Sequence, residues 1–181
     1  LDKSLPKEEI ITSINRSEVE AIIYAEKYED IMVQIKGNED NKVKFFISMD
    51  KEKNENGMYS MKELISIGKE LVANGDKRYI DCEINNEEMA IMLFTSGTTS
   101  MSKAVMLSER NIAEDIYAMQ QVEKLLPTDM NMAILPFHHA YGSTGILMML
   151  ASGTANCFTD GLKYIAKNMK EYKVSVYVGV P

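Results

Sequence analysis

Apolar residues near the start of the chain fall at helical spacing. Ile10, Ile11 and Ile14 follow Pro6, a residue suited to a first helical turn, where its missing N–H has no intrahelical partner. Residues 19–24 then read as a buried strand. Tyr28, Ile31, Met32 and Ile35 recur at i, i+3, i+4 and i+7, the stripe of a second helix, and Gly37 ends it. The polar turn Asn38-Glu39-Asp40-Asn41 leads to a strand over 43–47. Strand, helix, strand is one βαβ unit, which predicts a parallel pair. Residues 50–58, mostly Lys, Glu and Asn, read as a surface loop. Ser60 and Glu63 have the spacing of a capping box. Met61, Leu64, Ile65, Gly68, Leu71 and Val72 line one face of the helix that follows, and Asn74-Gly75-Asp76 closes it. Residues 76–88 read as a polar connector.

The second half alternates more regularly. A hydrophobic strand over 89–94 runs into a hydroxyl-rich segment, followed by a short strand over 104–107. Ser108 is placed as an N-cap. Ile112, Ile116, Met119, Val122 and Leu126 form the stripe of a helix that Pro127 stops. A strand over 130–135, a helix over 142–150, a strand over 155–158, a helix capped by Asp160 and a final valine-rich strand follow. This β, α, β, α, β order predicts a layered α/β fold with a mainly parallel sheet.

Composition narrows the class. The chain has 181 residues, of which 45% are hydrophobic and 26% charged, enough apolar material for a packed core. A formal net charge of -7 argues against a nucleic-acid binder, which carries a basic face, but not against a local nucleotide pocket. No apolar run reaches the ~18 residues that span a bilayer, so no integral membrane segment is expected, and peripheral association stays open. Two cysteines, Cys82 and Cys157, do not make a disulfide framework and read as structural, which fits a reducing, cytoplasmic setting. The 14 methionines read as core filler. No metal site is expected. His138 and His139 are adjacent at the end of a strand, where neighbouring side chains point to opposite sides.

The segment 95–103 carries the chemistry. It holds six hydroxyl residues, one glycine and one lysine directly after a buried strand. A polyphosphate needs many donors, and hydroxyls, backbone amides and an ammonium supply them. The segment lacks the G-x-x-x-x-G-K-[ST] pattern of a P-loop, and by composition alone an ordinary Ser/Thr turn is the more common reading.

The run Thr95-Ser96-Gly97-Thr98-Thr99-Ser100-Met101-Ser102-Lys103-Ala104-Val105 resembles the signature loop T-S-G-T-T-G-x-P-K-G-V of the acyl-adenylate-forming superfamily. Pro136-Phe137-His138-His139-Ala140-Tyr141-Gly142 is similar to that superfamily's P-x-x-H-x-x-G segment, and Gly179-Val180-Pro181 to its G-V-P. The resemblance covers most of the chain. It implies that residues 1–181 are part of the large N-terminal domain of an AMP-forming synthetase, with 1–88 preceding the phosphate loop, 89–181 carrying it, and the C-terminal domain absent. It further implies that Thr95, Ser96, Gly97, Thr98, Thr99 and Lys103 bind the ATP phosphates. His139, Tyr141 and Gly142 would shape the substrate and adenylate pocket, with His139 as a positioning residue. ATP, Mg2+ and coenzyme A are the implied cofactors, and a carboxylic acid is the implied substrate, most like a fatty acid. No residue of the chain is assigned a catalytic role, and the 181 residues alone are expected to be inactive.

Three departures from the pattern stand out. Ser100 and Ala104 replace glycines, and Ser102 replaces proline. Glycine permits positive φ and close backbone approach, so Ser100 and Ala104 are expected to make the loop's geometry more costly. Two other readings are an amino-acid adenylation domain of a peptide synthetase and a noncatalytic α/β module with a degenerate phosphate loop.

Overall fold

A computed structural model describes residues 5–38, 41–95 and 102–180. The chain divides into two compact units, residues 1–84 and 85–181.

In the first unit, α1 (Lys7–Ser17), β1 (Ala21–Tyr24), α2 (Glu29–Lys36) and β2 (Phe45–Ser48) follow in order. β1 and β2 pair in parallel from Ala21↔Phe45 to Tyr24↔Ser48, as the βαβ reading expects. Both strands begin two residues later than their apolar runs. A two-residue strand, β3 (Tyr59–Ser60), adds in parallel to β2 beyond the polar loop. Ile10 and Ile14 of α1 and Met32 and Ile35 of α2 pack on Tyr24, Phe46 and Met58 in one core. The helical stripes read from sequence are therefore the faces turned inward. Within this core the Tyr24 hydroxyl donates to Glu29 Oε2 at 2.7 Å, and Lys51 Nζ pairs with Glu29 at 3.2 Å. Burial first, and the Glu29 carboxylate second, hold the Tyr24 phenol far above its ordinary 10.

The helix ends show how far side-chain signals carry. Ser60 Oγ accepts from Glu63 N at 3.3 Å, so half of the expected capping box forms at α3 (Met61–Ala73). The other half does not. Ser60 N donates to Asn54 Oδ1 and the Glu63 carboxylate accepts from Asn54 N, because the preceding loop folds back over the helix start. Gly37 ends α2 with φ -74, a conformation open to any residue. No residue of α3 is buried, and Ile65, Leu71 and Val72 of its apolar stripe are exposed.

In the second unit, β4 (Met89–Thr95) and β5 (Lys103–Ser108) form an antiparallel hairpin. α4 (Glu109–Val122), β6 (Met130–Ala133), α5 (Ala140–Ala151), β7 (Ala155–Phe158) and α6 (Ile165–Glu171) follow. β6 and β7 are parallel, with Met132 paired to Cys157. The fold is thus layered α/β with parallel pairs and one antiparallel hairpin. Met132 and Met149 are fully buried, so part of the methionine excess fills this core.

Four local expectations change. α4 ends at Val122, short of Pro127 and Leu126, since Glu123 already has extended φ and ψ. α5 begins at Ala140 rather than 142. Asp160 caps no helix. It accepts instead from Asn168 Nδ2 at 3.0 Å, a single turn over Leu162–Tyr164 intervenes, and α6 starts only at Ile165. The valine-rich end makes one parallel bridge, Asn131↔Val176, not a full strand. Ser175 N and Val176 N both donate to Met130 O, and Met132 N donates back to Val176 O at 3.3 Å.

Candidate functional site

The hairpin β4–β5 positions the first group of candidate residues. Apolar side chains of β4 oppose those of β5, with Met92↔Met106 and Leu93↔Val105, and this pairing fixes the register. That register ends on Thr95↔Lys103. The two ends of the hydroxyl-rich segment are therefore cross-strand neighbours at the loop end of the hairpin. Ser96, Gly97, Thr98 and Thr99, together with Ser100, lie outside the described residues. Lys103 is exposed and makes no ion pair among the described residues. Ala104 pairs with Phe94 within β5 and does not take a positive φ. The expected strain at Ala104 is thus absent, because the position is ordinary extended strand.

The far end of β5 is held firmly. Ser108 Oγ accepts from Asn111 N at 3.2 Å, and Asn111 Oδ1 accepts from Ser108 N at 3.0 Å, a complete reciprocal cap for α4. Arg110 N donates to Asn86 O, and its guanidinium pairs with Glu87. The strand entering the segment and the helix leaving it are thereby tied together. Sequence reading placed Ser108 as a cap. The return bond from Asn111 escaped it because the familiar partner at that position is Glu or Gln.

The second group sits after β6, at the carboxyl end of the parallel β6–β7 pair, where open α/β sheets take their ligands. His139 N donates to Pro136 O at 3.2 Å, closing a turn, and Ser143 N donates back to His139 O at 3.1 Å as α5 begins. A Cβ on Gly142 would collide with Pro136 O and stand 2.9 Å from Pro136 C. Gly142 therefore lets the turn press against the helix. His138 and His139 do not point apart as a strand would require. Their ring centroids are 4.2 Å apart, because the pair lies in a turn beyond β6. His139 and Tyr141 are exposed. Among the described residues no three His, Cys, Asp or Glu side chains gather to hold a metal ion.

Tyr141 also borders a cavity of about 640 Å3 between α4, α5 and residues 176–179. Met119, Val122, Gly145, Met149 and Tyr177 are among its walls. This volume lies within the range of ~300–1,000 Å3 typical of small-molecule sites. Sequence reading missed these residues. The α4 stripe looked like core, yet Met119 and Val122 line the opening. A stripe's periodicity reports that a face is apolar and not whether a packed core or a cavity lies against it. The structure thus brings Thr95 to Lys103, and His139 to Tyr141 and Gly142. No hydrogen bond or ion pair joins the two groups among the described residues.

The family model for AMP-binding enzymes matches residues 1–181. The chain belongs to the AMP-binding enzyme family. It is 30% identical over 129 residues to a long-chain-fatty-acid–[acyl-carrier-protein] ligase of Arabidopsis thaliana, a match covering 68% of this chain and 18% of that protein. It is 33% identical over 100 residues to an oxalate–CoA ligase of the same plant, covering 52% of this chain and 20% of the relative. Among solved structures, ATP-bound MatB from Rhodopseudomonas palustris superposes with a TM-score of 0.75 at 20% identity, covering 100% of this chain and 33% of that one. The chain thus spans about a fifth of the curated relatives' length and a third of the solved one's. Among the described residues no helix is long and apolar enough to cross a membrane.

Proposed function

We propose that the full-length protein activates a carboxylic acid with ATP and passes the acyl group to a thiol, coenzyme A being the leading acceptor. In the first step a carboxylate oxygen attacks the α-phosphorus of ATP. The bond to the β-phosphate bridging oxygen breaks, and pyrophosphate leaves from an acyl-adenylate. In the second step a thiolate attacks the acyl carbonyl and AMP leaves. Mg2+ would accompany the triphosphate and neutralise part of its charge. The hydroxyls and amides of residues 95–99, with the Lys103 ammonium, hold the β- and γ-phosphates and stabilise the departing pyrophosphate. His139 positions the adenylate, and Tyr141 and Gly142 form the pocket wall.

One observation carries this reading. In a chain that matches the AMP-binding family throughout, the hairpin register sets Thr95 beside an exposed Lys103 that makes no ion pair among the described residues. A fatty acid is the substrate class the cavity favours, since Met119, Val122 and Met149 offer an apolar wall to an alkyl chain and Glu123 is the one charged residue among the described lining.

ATP–pyrophosphate exchange by the full-length protein tests both statements. Fatty acids are expected to support exchange better than oxalate or amino acids. Lys103→Ala is expected to lower kcat/KM for ATP about ten- to hundredfold, the worth of one charge-assisted contact. Exchange driven best by an amino acid would favour the peptide-synthetase reading. No exchange with any acid would favour the noncatalytic one.

A further inference from the structure

The first unit contains two Asn-Gly dipeptides, Asn56-Gly57 and Asn74-Gly75, in very different settings. Asn56 (φ 53) and Gly57 (φ 72) are the central residues of a tight turn whose flanks, Glu55 and Met58, pair in antiparallel fashion. Positive φ at both central residues is the geometry of the hairpin turns that Asn-Gly favours. Asn56 is exposed, and neither its side-chain amide nor the Gly57 N–H makes a hydrogen bond among the described residues. The carbonyl joining the two is not free. Lys36 Nζ, from the last turn of α2, donates to Asn56 O at 2.6 Å. The ammonium lies so close over this peptide that a Cβ on Gly57 would collide with it.

We infer that Asn56 is a site of spontaneous deamidation that Lys36 promotes. The reaction begins when a solvent base removes the Gly57 N–H proton. The charge of the resulting amide anion spreads onto Asn56 O, the atom that the Lys36 ammonium touches. This is the arrangement by which a fixed donor stabilises a developing oxyanion. Gly57 N then attacks Asn56 Cγ, the Cγ–Nδ2 bond breaks, and ammonia leaves with one proton from water. The five-membered succinimide that forms is opened by water. Attack at Cγ gives aspartate, and attack at the backbone carbonyl gives isoaspartate. Glycine has no Cβ to obstruct the attack. Both products place a new carboxylate beside Lys36, and isoaspartate also lengthens the backbone of a turn that leads into β3 and the α3 cap.

Asn74-Gly75 is the internal control. It closes α3, with Asn74 at φ -85 and ψ 8, and Gly75 N–H already donates to Val72 O at 3.0 Å. Its nucleophile is therefore engaged, and no cation is seen to touch the Asn74 carbonyl among the described residues.

Incubation of the full chain at mildly alkaline pH, with peptide mapping by mass spectrometry and isoaspartyl labelling, tests the inference. The exchange of NH2 for OH is expected severalfold faster at Asn56 than at Asn74. Lys36→Met and Lys36→Gln are expected to slow Asn56 about three- to tenfold, below the cost of a buried oxyanion donor because this ammonium is solvated. Both variants should leave Asn74 unchanged. In urea the two sites should converge and the Lys36 variants should have no effect. Equal rates at the two sites in the folded chain, or a Lys36 variant that stays folded and deamidates at Asn56 as fast as before, would overturn it.

Discussion

At the scale of single residues, Gly142 and Tyr24 show opposite uses of space. Gly142 leaves a gap that the Pro136 carbonyl fills, so an added methyl has nowhere to go but into backbone. Gly142→Ala is expected to destabilise the second unit by about 1–3 kcal/mol, the usual cost of overpacking, measured by urea unfolding. Tyr24 is buried and bonded to Glu29, and its phenol is raised above the ordinary 10. A raised acid binds its proton more tightly in the folded chain. The stability it contributes is complete below pH 10 and is lost as pH rises beyond the point where the unfolded tyrosine ionises. Stability measured by denaturant unfolding should therefore fall above pH 10. Tyr24→Phe should flatten that fall while costing about 1 kcal/mol at neutral pH. An unchanged alkaline slope in Tyr24→Phe would place the titration elsewhere.

At the scale of elements, a carboxylate adds to the backbone bonds that hold the end of the second unit. Asp129 accepts from Leu126 N at 2.8 Å and from Ser175 Oγ at 2.8 Å. The Leu126 amide first, and the Ser175 hydroxyl second, hold its carboxyl below the usual range. A lowered acid contributes stability that is present above the unfolded pKa near 4 and lost as pH falls through the folded value. Asp129→Ala is expected to speed amide exchange at Val176, and the parent chain should show the same loosening in acid. The Ser175 bond was not legible in sequence, because the two residues lie 46 positions apart, and the local Leu126 bond was hidden because the apolar stripe carried the helix through Leu126. What was legible followed local periodicity. The stripes of α1 and α2 and the Ser108 cap rest on residues within a few positions of one another, and the parallel β1–β2 pair follows from the strand, helix, strand order although its partners lie 24 residues apart. β3, the swap of partners at Ser60 and the single bridge at Val176 depend on how distant segments meet. The chemical segment was legible for a third reason, its residue types and order. Its register was not, since Thr95↔Lys103 follows from apolar pairs farther down the hairpin.

At the scale of the molecule, exposed apolar surface and nucleotide chemistry meet in one question, namely what the hairpin is for. Several apolar side chains outside the two cores, among them Val72 at 65% and Ile80 at 75% exposure, show that burial in this chain is uneven. The fold alone does not choose between a ligase and a binding module, since one architecture hosts many activities. Energetic linkage does choose. A ligand that binds only the folded state at 100 times its Kd adds about 2.7 kcal/mol of stability. If the segment holds a triphosphate, ATP with Mg2+ should raise the Tm of the full-length protein, and the rise should shrink with salt as a charge contact does. Lys103→Ala should lose much of that rise without lowering the Tm measured free of ATP, because Lys103 is exposed and unpaired in the described structure. Ile112→Ala, which empties a buried position of α4, should do the reverse, lowering the ATP-free Tm through packing. The two variants together separate a damaged nucleotide grip from a damaged fold. Equal ATP-induced shifts in the parent and in Lys103→Ala would show that the hairpin lysine does not contact the nucleotide.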